Sequence, residues 1–345
     1  MDDAAAGWEA INAALDGLYP GVQPKHYGTV MKWAFGGPDP LDGLSVYARD
    51  DHWHFVTYGM SELYDKESDD PDRSGWGFEF TFRPGRDPSD PSGSEPPMWA
   101  ANFLQNLARY VFTTANAFGP GHHMDLNGPI SLAEPDTAIR AVAFADDPEL
   151  GEIDTPHGRL RFLQVVGLTL DEYAAVEGWD TTRLLEAMTP RLPLLVTDLK
   201  RGSLTDDPAV SAAIEEGARR DGSSTASLYV EEASFQDGRI TFGASAAPRI
   251  ARVLAGRLPF DRGLLVDARE GSLGLRPAPD GEFRIDQSRD GFTEFYLPPA
   301  AATELIGVLR PVAGSYSLAA APGLVVEIVK SRIRDQSGAV VAEIG

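Results

Sequence analysis

Two runs of alternating residues constrain the fold of this chain most. The first is Asp51-His52-Trp53-His54-Phe55-Val56-Thr57-Tyr58-Gly59-Met60-Ser61-Glu62-Leu63-Tyr64. The second is Ser74-Gly75-Trp76-Gly77-Phe78-Glu79-Phe80-Thr81-Phe82-Arg83. Both are rich in aromatic and β-branched residues at period two, the pattern of half-buried strands. The gap between them, 65–73, is nearly all charge, Ser and Pro and predicts an exposed loop. The pair is expected to form neighbouring strands of one antiparallel sheet.

The rest of the chain alternates helices and strands. Trp8, Ile11, Leu15 and Leu18 share one helical face, stopped by Tyr19-Pro20-Gly21. Strands are expected over 29–35, 44–49, 137–145, 158–168 and 194–199, and helices over 99–112, 180–188 and 207–220. Thr169-Leu170-Asp171-Glu172 opens another helix as a capping box. Phe118 to Asp125 and 84–97 read as loops. At 221–225 the composition turns small and polar, the expected border between two domains, 1–221 and 222–345. Beyond it, strands are expected over 228–235, 239–244, 263–267, 282–286, 293–297 and 324–333. Asp237-Gly238 and Asp280-Gly281 signal hairpins, and helices interrupt at 247–255 and 299–309. The fold class is α/β in the broad (α+β) sense: two mixed domains side by side, each a largely antiparallel or mixed sheet packed with helices. A chain of 345 residues can bury a core in each.

Charge narrows the partners. The formal net charge is −22, and residues 1–200 carry 14 basic against 32 acidic side chains. Such a surface repels nucleic acid and anionic membrane, and it attracts basic proteins. No apolar run is long enough to span a membrane, and the acidic start lacks the features of a signal peptide, so a cytoplasmic location is expected. With no cysteine, disulfides and thiolate chemistry are excluded. Few of the basic residues are lysine, and this bias to Arg suggests a GC-rich bacterial genome.

Candidate chemistry is sparse. His52 and His54 lie two apart on a strand, on one face, and could begin a metal site with His122, His123 or Asp51. Histidines beside Trp53 and Phe55 more commonly hydrogen-bond within the sheet. His122-His123-Met124-Asp125 could be an Asp-oriented imidazole or a recognition loop. Gly243-Ala244-Ser245-Ala246-Ala247 lacks the last glycine of a nucleophile elbow. No phosphate-binding loop, dinucleotide fingerprint or zincin motif occurs, so no cofactor is expected. The acidic run Asp65, Glu67, Asp69, Asp70, Asp72 lacks the glycine and terminal glutamate of a calcium loop. It reads as a solvated loop, or as a landing site for a basic partner at Asp69, Asp70 and Asp72.

Several segments resemble the Suppressor of fused family: the two aromatic runs, Gly36-Gly37-Pro38-Asp39-Pro40-Leu41-Asp42 and Pro96-Pro97-Met98-Trp99. So do Leu107-Ala108-Arg109-Tyr110-Val111-Phe112, Phe162-Leu163-Gln164-Val165-Val166-Gly167 and Thr197-Asp198-Leu199-Lys200-Arg201-Gly202. The resemblance covers about half of the chain. It implies a two-domain α/β protein that binds proteins and catalyses nothing. Animal members hold Gli-type transcription factors in check, with an extended peptide clamped between domains. Bacterial members look like immunity proteins of toxin systems. The favoured expectation is an immunity protein that neutralises a basic toxin domain. The alternatives are a peptide-clamping regulator and a metal-dependent hydrolase using His52, His54, His122 and His123. The family's recognition segment matches Tyr110 to Asp125 here, so Tyr110, Phe118, His122, His123 and Asp125 are candidate partner contacts. The family's acid, which pairs with a peptide histidine, falls at His122. An imidazole cannot replace a carboxylate there, so the animal specificity is expected to be lost.

Overall fold

The computed structural model describes residues 5–31, 33, 36–86, 95–269, 271–288, 292–334 and 339–345. The chain divides into two compact units, 1–173 with 181–207, and 174–180 with 208–345.

Unit 1 is built on an eight-stranded sheet. Its elements are α1 (Ala6–Leu18), β1 (Lys25–Gly28), β2 (Gly43–Ala48), β3 (Trp53–Tyr58), β4 (Arg73–Phe82), α2 (Met98–Thr114) and β5 (His123–Asp125). There follow β6 (Ile139–Asp146), β7 (Glu152–Thr155), β8 (Gly158–Thr169), α3 (Leu170–Gly178, counted with unit 2 from residue 174 on) and α4 (Thr181–Met188). The strand order is β1-β2-β3-β4-β8-β6-β5, with β7 added alongside β8. As expected, β3 and β4 are antiparallel neighbours. Among the described strands of this sheet only β4 and β8 run parallel.

Both faces of this sheet are buried, where alternation had suggested one. Phe55, Phe78, Phe80, Phe82, Leu163 and Val165 pack with Leu104, Leu107 and Val111 of α2. Tyr47, Val56, Tyr58, Leu160 and Phe162 pack with Ile11 and Leu15 of α1. All six residues of β3 are buried. The polar residues of the alternation therefore lie inside, where each must find a partner.

Glu79 does so at the end of the β3–β4 ladder, which pairs Phe55 with Phe82 and Val56 with Thr81. Beyond it the Glu79 carboxylate accepts from the N–H groups of Gly59, Met60 and Ser61 at 2.9, 3.1 and 3.0 Å. The hydroxyls of Ser61 and Thr57 add donors at 2.7 and 2.6 Å. Burial nevertheless pushes the carboxyl up to about 7. A folded pKa raised above the unfolded one gives stability that is full below the unfolded value and lost as pH rises through about 7. Relative to Glu79→Gln, wild-type stability should thus fall by on the order of 3 kcal/mol between pH 5 and pH 8. Urea melts at the two pH values measure this, and a difference that stays flat would contradict it.

Other departures have local causes. The strand expected over 29–35 falls instead at β1, and 32, 34 and 35 lie outside the described residues. The loop expected over 84–97 is likewise undescribed at 87–94. β5 occupies part of an expected loop, and β7 was not expected. No strand forms over 194–199: Leu194 and Leu195 have φ of 53° and 54°. Their carbonyls accept from the Gln164 amide at 2.8 and 3.1 Å. The capping box forms as read: Glu172 Oε2 accepts from the Thr169 N–H at 2.9 Å, and Thr169 Oγ1 accepts from the Glu172 N–H at 3.3 Å.

Unit 2 holds α5 (Pro208–Asp221), β9 (Ser227–Tyr229), β10 (Ala233–Gln236), β11 (Arg239–Gly243), α6 (Ala247–Ala255), β12 (Leu264–Ala268) and β13 (Gly271–Pro277). It continues with β14 (Arg284–Gln287), β15 (Thr293–Leu297), α7 (Pro299–Val308), β16 (Gly314–Ser317), β17 (Val325–Val329), β18 (Ser331–Arg334) and β19 (Val340–Ile344). Its sheets run β10-β11-β17-β16, β14-β15-β13-β12-β9 and β18-β19. One core joins Ile240, Phe242, Val266, Leu275 and Phe295 to Ile250, Val253 and Leu254 of α6 and Leu305 of α7. Asp237 and Gly238, at φ 51° and 76°, turn the β10–β11 hairpin as expected. Asp280-Gly281 makes no hairpin, because β13 pairs in parallel with β15 rather than with β14. The expected strand 228–235 splits into β9 and β10, in different sheets, and 324–333 splits into β17 and β18.

The small polar stretch after α5 is tied down by hydrogen bonds although Ser224, Ala226 and Ser227 are exposed. Gly222, Ser223 and Thr225 are buried. The Ser223 N–H donates to Gly256 O at 2.6 Å, and its hydroxyl donates to Glu177 O at 2.6 Å. Arg257 holds the Ser223 carbonyl at 3.0 Å. Limited proteolysis should therefore spare 221–227. Early cleavage there, read by mass spectrometry, would contradict this packing.

Candidate binding site

β5 ends the unit 1 sheet, and β6 is its sheet neighbour. His123, Met124 and Asp125 lie opposite Ala143, Val142 and Ala141. The bonds Phe144 N–H to His122 O (2.9 Å) and Leu126 N–H to Arg140 O (3.0 Å) set the phase. Residues 122, 124 and 126 bond toward β6, so the backbone N–H and C=O of Asp125 point away from it. An edge with outward backbone groups is a template for another strand.

Side chains differ on the two faces of this edge. On the α2 side, Tyr110 stacks on Phe118 at 5.4 Å, and Phe118 stacks on Phe144 at 4.2 Å. Met124 packs into the same cluster. Tyr110 is 36% exposed, enough to offer one ring face to a partner. On the other side His123 Nδ1 lies 3.2 Å from the Thr181 hydroxyl, and its ring meets Tyr173 edge-on. Asp125 Oδ1 accepts from the Asn127 N–H at 2.8 Å. His122 is exposed just before the strand. Tyr110, Phe118, His122, His123 and Asp125 are thus gathered around one sheet edge.

The acidic run lies elsewhere in unit 1. Asp69 and Asp72 are exposed, while Asp70 is half-buried, accepts from the Asp72 N–H at 3.0 Å and faces Arg73 at 3.5 Å. The loop is anchored by Glu62. Burial alone would raise the Glu62 carboxyl, but Lys66 and the N–H groups of Ser68 and Glu67 hold it down at about 2. Asp72 and Phe118 border the same cleft, which links the two groups of residues.

The four histidines do not converge. His52 and His54 are 1% and 0% exposed in and beside β3, four strand positions from β5, roughly 19 Å at the usual strand spacing. The hydrolase alternative, which needs them together, fails on this separation. His52 Nδ1 is 2.6 Å from Asp51. His54 Nδ1 is 2.6 Å from the Tyr19 hydroxyl, and its Nε2 is 3.3 Å from Asp147. Burial holds the His54 imidazole down to about 4, so it is neutral. Among the described residues no three His, Asp or Glu are grouped to hold a metal ion. None of the described helices is long and apolar enough to cross a membrane.

Sequence reading missed the cleft bordered by Trp76, Arg159 and Arg161. A signal was present: Arg159, Arg161 and Leu163 alternate along β8 and so share one face.

The profile of the Suppressor of fused protein family matches residues 37–202. The human and mouse Suppressor of fused homologs are each 34% identical over 239 residues, 63% of this chain and 48% of theirs. The chain thus spans about half the length of these curated relatives. The crystal structure of Drosophila Suppressor of Fused matches 95% of this chain and 98% of its own with a TM-score of 0.77, at 20% identity, a likeness of fold. A chain of the Sufu–Fu complex crystal structure matches 61% of this chain and 98% of its own, with a TM-score of 0.56 and 29% identity.

Proposed function

We propose that the protein binds another protein without catalysis, taking an extended segment onto the edge of β5, a reading that proceeds from the match of residues 37–202 to the Suppressor of fused family. The observation that carries this reading is the outward backbone of β5 beside the Tyr110–Phe118 stack. Backbone pairing supplies affinity to any extended segment, and the flanking side chains select among them. That a similar chain is seen in a Sufu–Fu complex supports a protein partner.

The partner we infer is a basic toxin domain, neutralised by direct binding, so that the chain acts as an immunity protein. Support comes from the net charge of −22, concentrated in residues 1–200. A field of this sign speeds association with a cationic surface, and salt screens it. The on-rate for a basic toxin domain, measured by stopped flow, should fall severalfold as salt rises. Replacing Asp69, Asp70 and Asp72 with Asn should lower it further without unfolding. An on-rate indifferent to salt would overturn this choice of partner. The second reading, a regulator that clamps a peptide, is favoured by the edge of β5. It is distinguished by whether a linear segment alone binds as tightly as the folded domain that contains it.

A further inference from the structure

We propose that unit 1 carries a separate subsite for the partner segment: the cleft where β4 and β8 part company, which seats a large apolar side chain lying next to a carboxylate. The proposal rests on the protein-binding reading and adds the chemistry that the segment must carry.

The cleft begins in the backbone. The parallel β4–β8 ladder breaks between Arg73↔Arg159 and Phe78↔Arg161. Over this break β4 loops outward through Gly75 and Gly77, whose φ values of 55° and 83° are left-handed. A Cβ at Gly75 would stand 2.8 Å from Met60 O, so the loop lies tight against the neighbouring backbone. The result is a cavity of about 290 Å³. That is at the lower limit for a ligand pocket and suits one large side chain.

Its lining has two chemistries. Phe78, Phe118 and Leu163 form an apolar floor, and Trp76, held 5.7 Å from Phe112, forms a wall. Along β8 the face that carries Leu163 continues through Arg161 to Arg159, so the floor runs into guanidinium groups. Arg73 adds a third. Three arginines on one small cleft run against a chain with 52 acidic and 30 basic residues. Two of them are engaged: Arg73 lies 3.5 Å from Asp70, and Arg161 lies 3.2 Å from both Asp146 and Glu152. Arg159 stands 3.9 Å from that same Glu152 and is 64% exposed. An incoming carboxylate can take Arg159 without breaking a close pair. Asp72 and Glu152, also on the lining, repel a second acid and so restrict where the first can sit.

The occupant is therefore a peptide segment with Phe, Leu or Ile beside Asp or Glu. On a basic partner such a local acid adds selectivity, since most of that partner's surface would not offer it.

The test uses a random linear-peptide display library selected on the whole chain. Enriched peptides should carry an acid within two positions of a large apolar residue. Arg159→Glu should weaken them more than about tenfold, while Arg159→Lys keeps most of the binding. Both variants should melt as wild type does, because the side chain is exposed. Peptides that lack the acid–apolar pair, or that ignore Arg159→Glu, would overturn the cleft. If those peptides are still lost with Asp125→Pro, the β5 reading survives the failure. A library that yields no binders overturns both.

Discussion

Replacing Arg83 with Met should cost about 3–5 kcal/mol of folding stability, the largest effect expected of any single change in unit 1. Arg83 and Asp147 side chains are both 0% exposed. The guanidinium meets Asp147 at 2.6 and 3.0 Å, Glu149 at 3.0 Å and the Gln164 amide oxygen. Thr81 donates to the same Asp147 carboxylate at 2.7 Å. Methionine fills the volume but leaves Asp147 ionised and buried without its cation. A buried pair is weak evidence of stability in itself, yet losing one member of it is costly. The double variant Arg83→Met, Asp147→Leu should therefore regain part of the loss.

The pH dependence has a definite sign. Although burial opposes it, the His54 Nε2 approach at 3.3 Å and the hydrogen bonds and charge of Arg83 hold the Asp147 carboxyl well below the usual carboxylate range. A depressed folded pKa gives stability that is present above the unfolded value and lost as pH falls through the folded one. Arg83→Met removes much of that depression. The gap between wild type and variant should be full at pH 7 and narrow as pH falls below about 4. Urea melts at both pH values measure it. A loss under about 1 kcal/mol at pH 7 would show that Arg83 is not the cation that holds Asp147.

Arg83 also shows how far the sequence could be read. The alternation of Phe78, Phe80 and Phe82 with Glu79, Thr81 and Arg83 revealed a strand and its partner, because period two is a local property. It could not reveal that α1 covers the polar face, since that depends on a helix more than fifty residues upstream. Polar residues that looked solvent-facing are thus a buried network with His54, Tyr19 and Asp147. The helices were legible for the same local reason: α6 and the capping box of α3 fall where spacing and caps placed them. Three-residue β5 was not, because its pairing with β6 rather than its own composition makes it a strand. The cluster around β5 came from family resemblance. The alternation of Arg159, Arg161 and Leu163 marked one face of β8, but the cleft itself opens only where the parallel β4 and β8 separate, which no local pattern shows.

Asp125→Pro should abolish partner binding, by more than about a hundredfold, while leaving the fold intact. Proline removes an N–H that points away from β6, and edge strands tolerate that loss. The bonds through His122 and Leu126 to β6 remain. Melting temperature and circular dichroism should change little. A comparable proline at Met124 would break the pairing with β6 and confound folding with binding.

Backbone hydrogen exchange across β5, with and without a bound partner segment, tests the central claim most directly. Strand addition gives the outward N–H of Asp125 an acceptor, so its exchange should slow at least about tenfold on binding. Tight binding that protects amides elsewhere and leaves 123–125 exchanging as in the free protein would contradict the account.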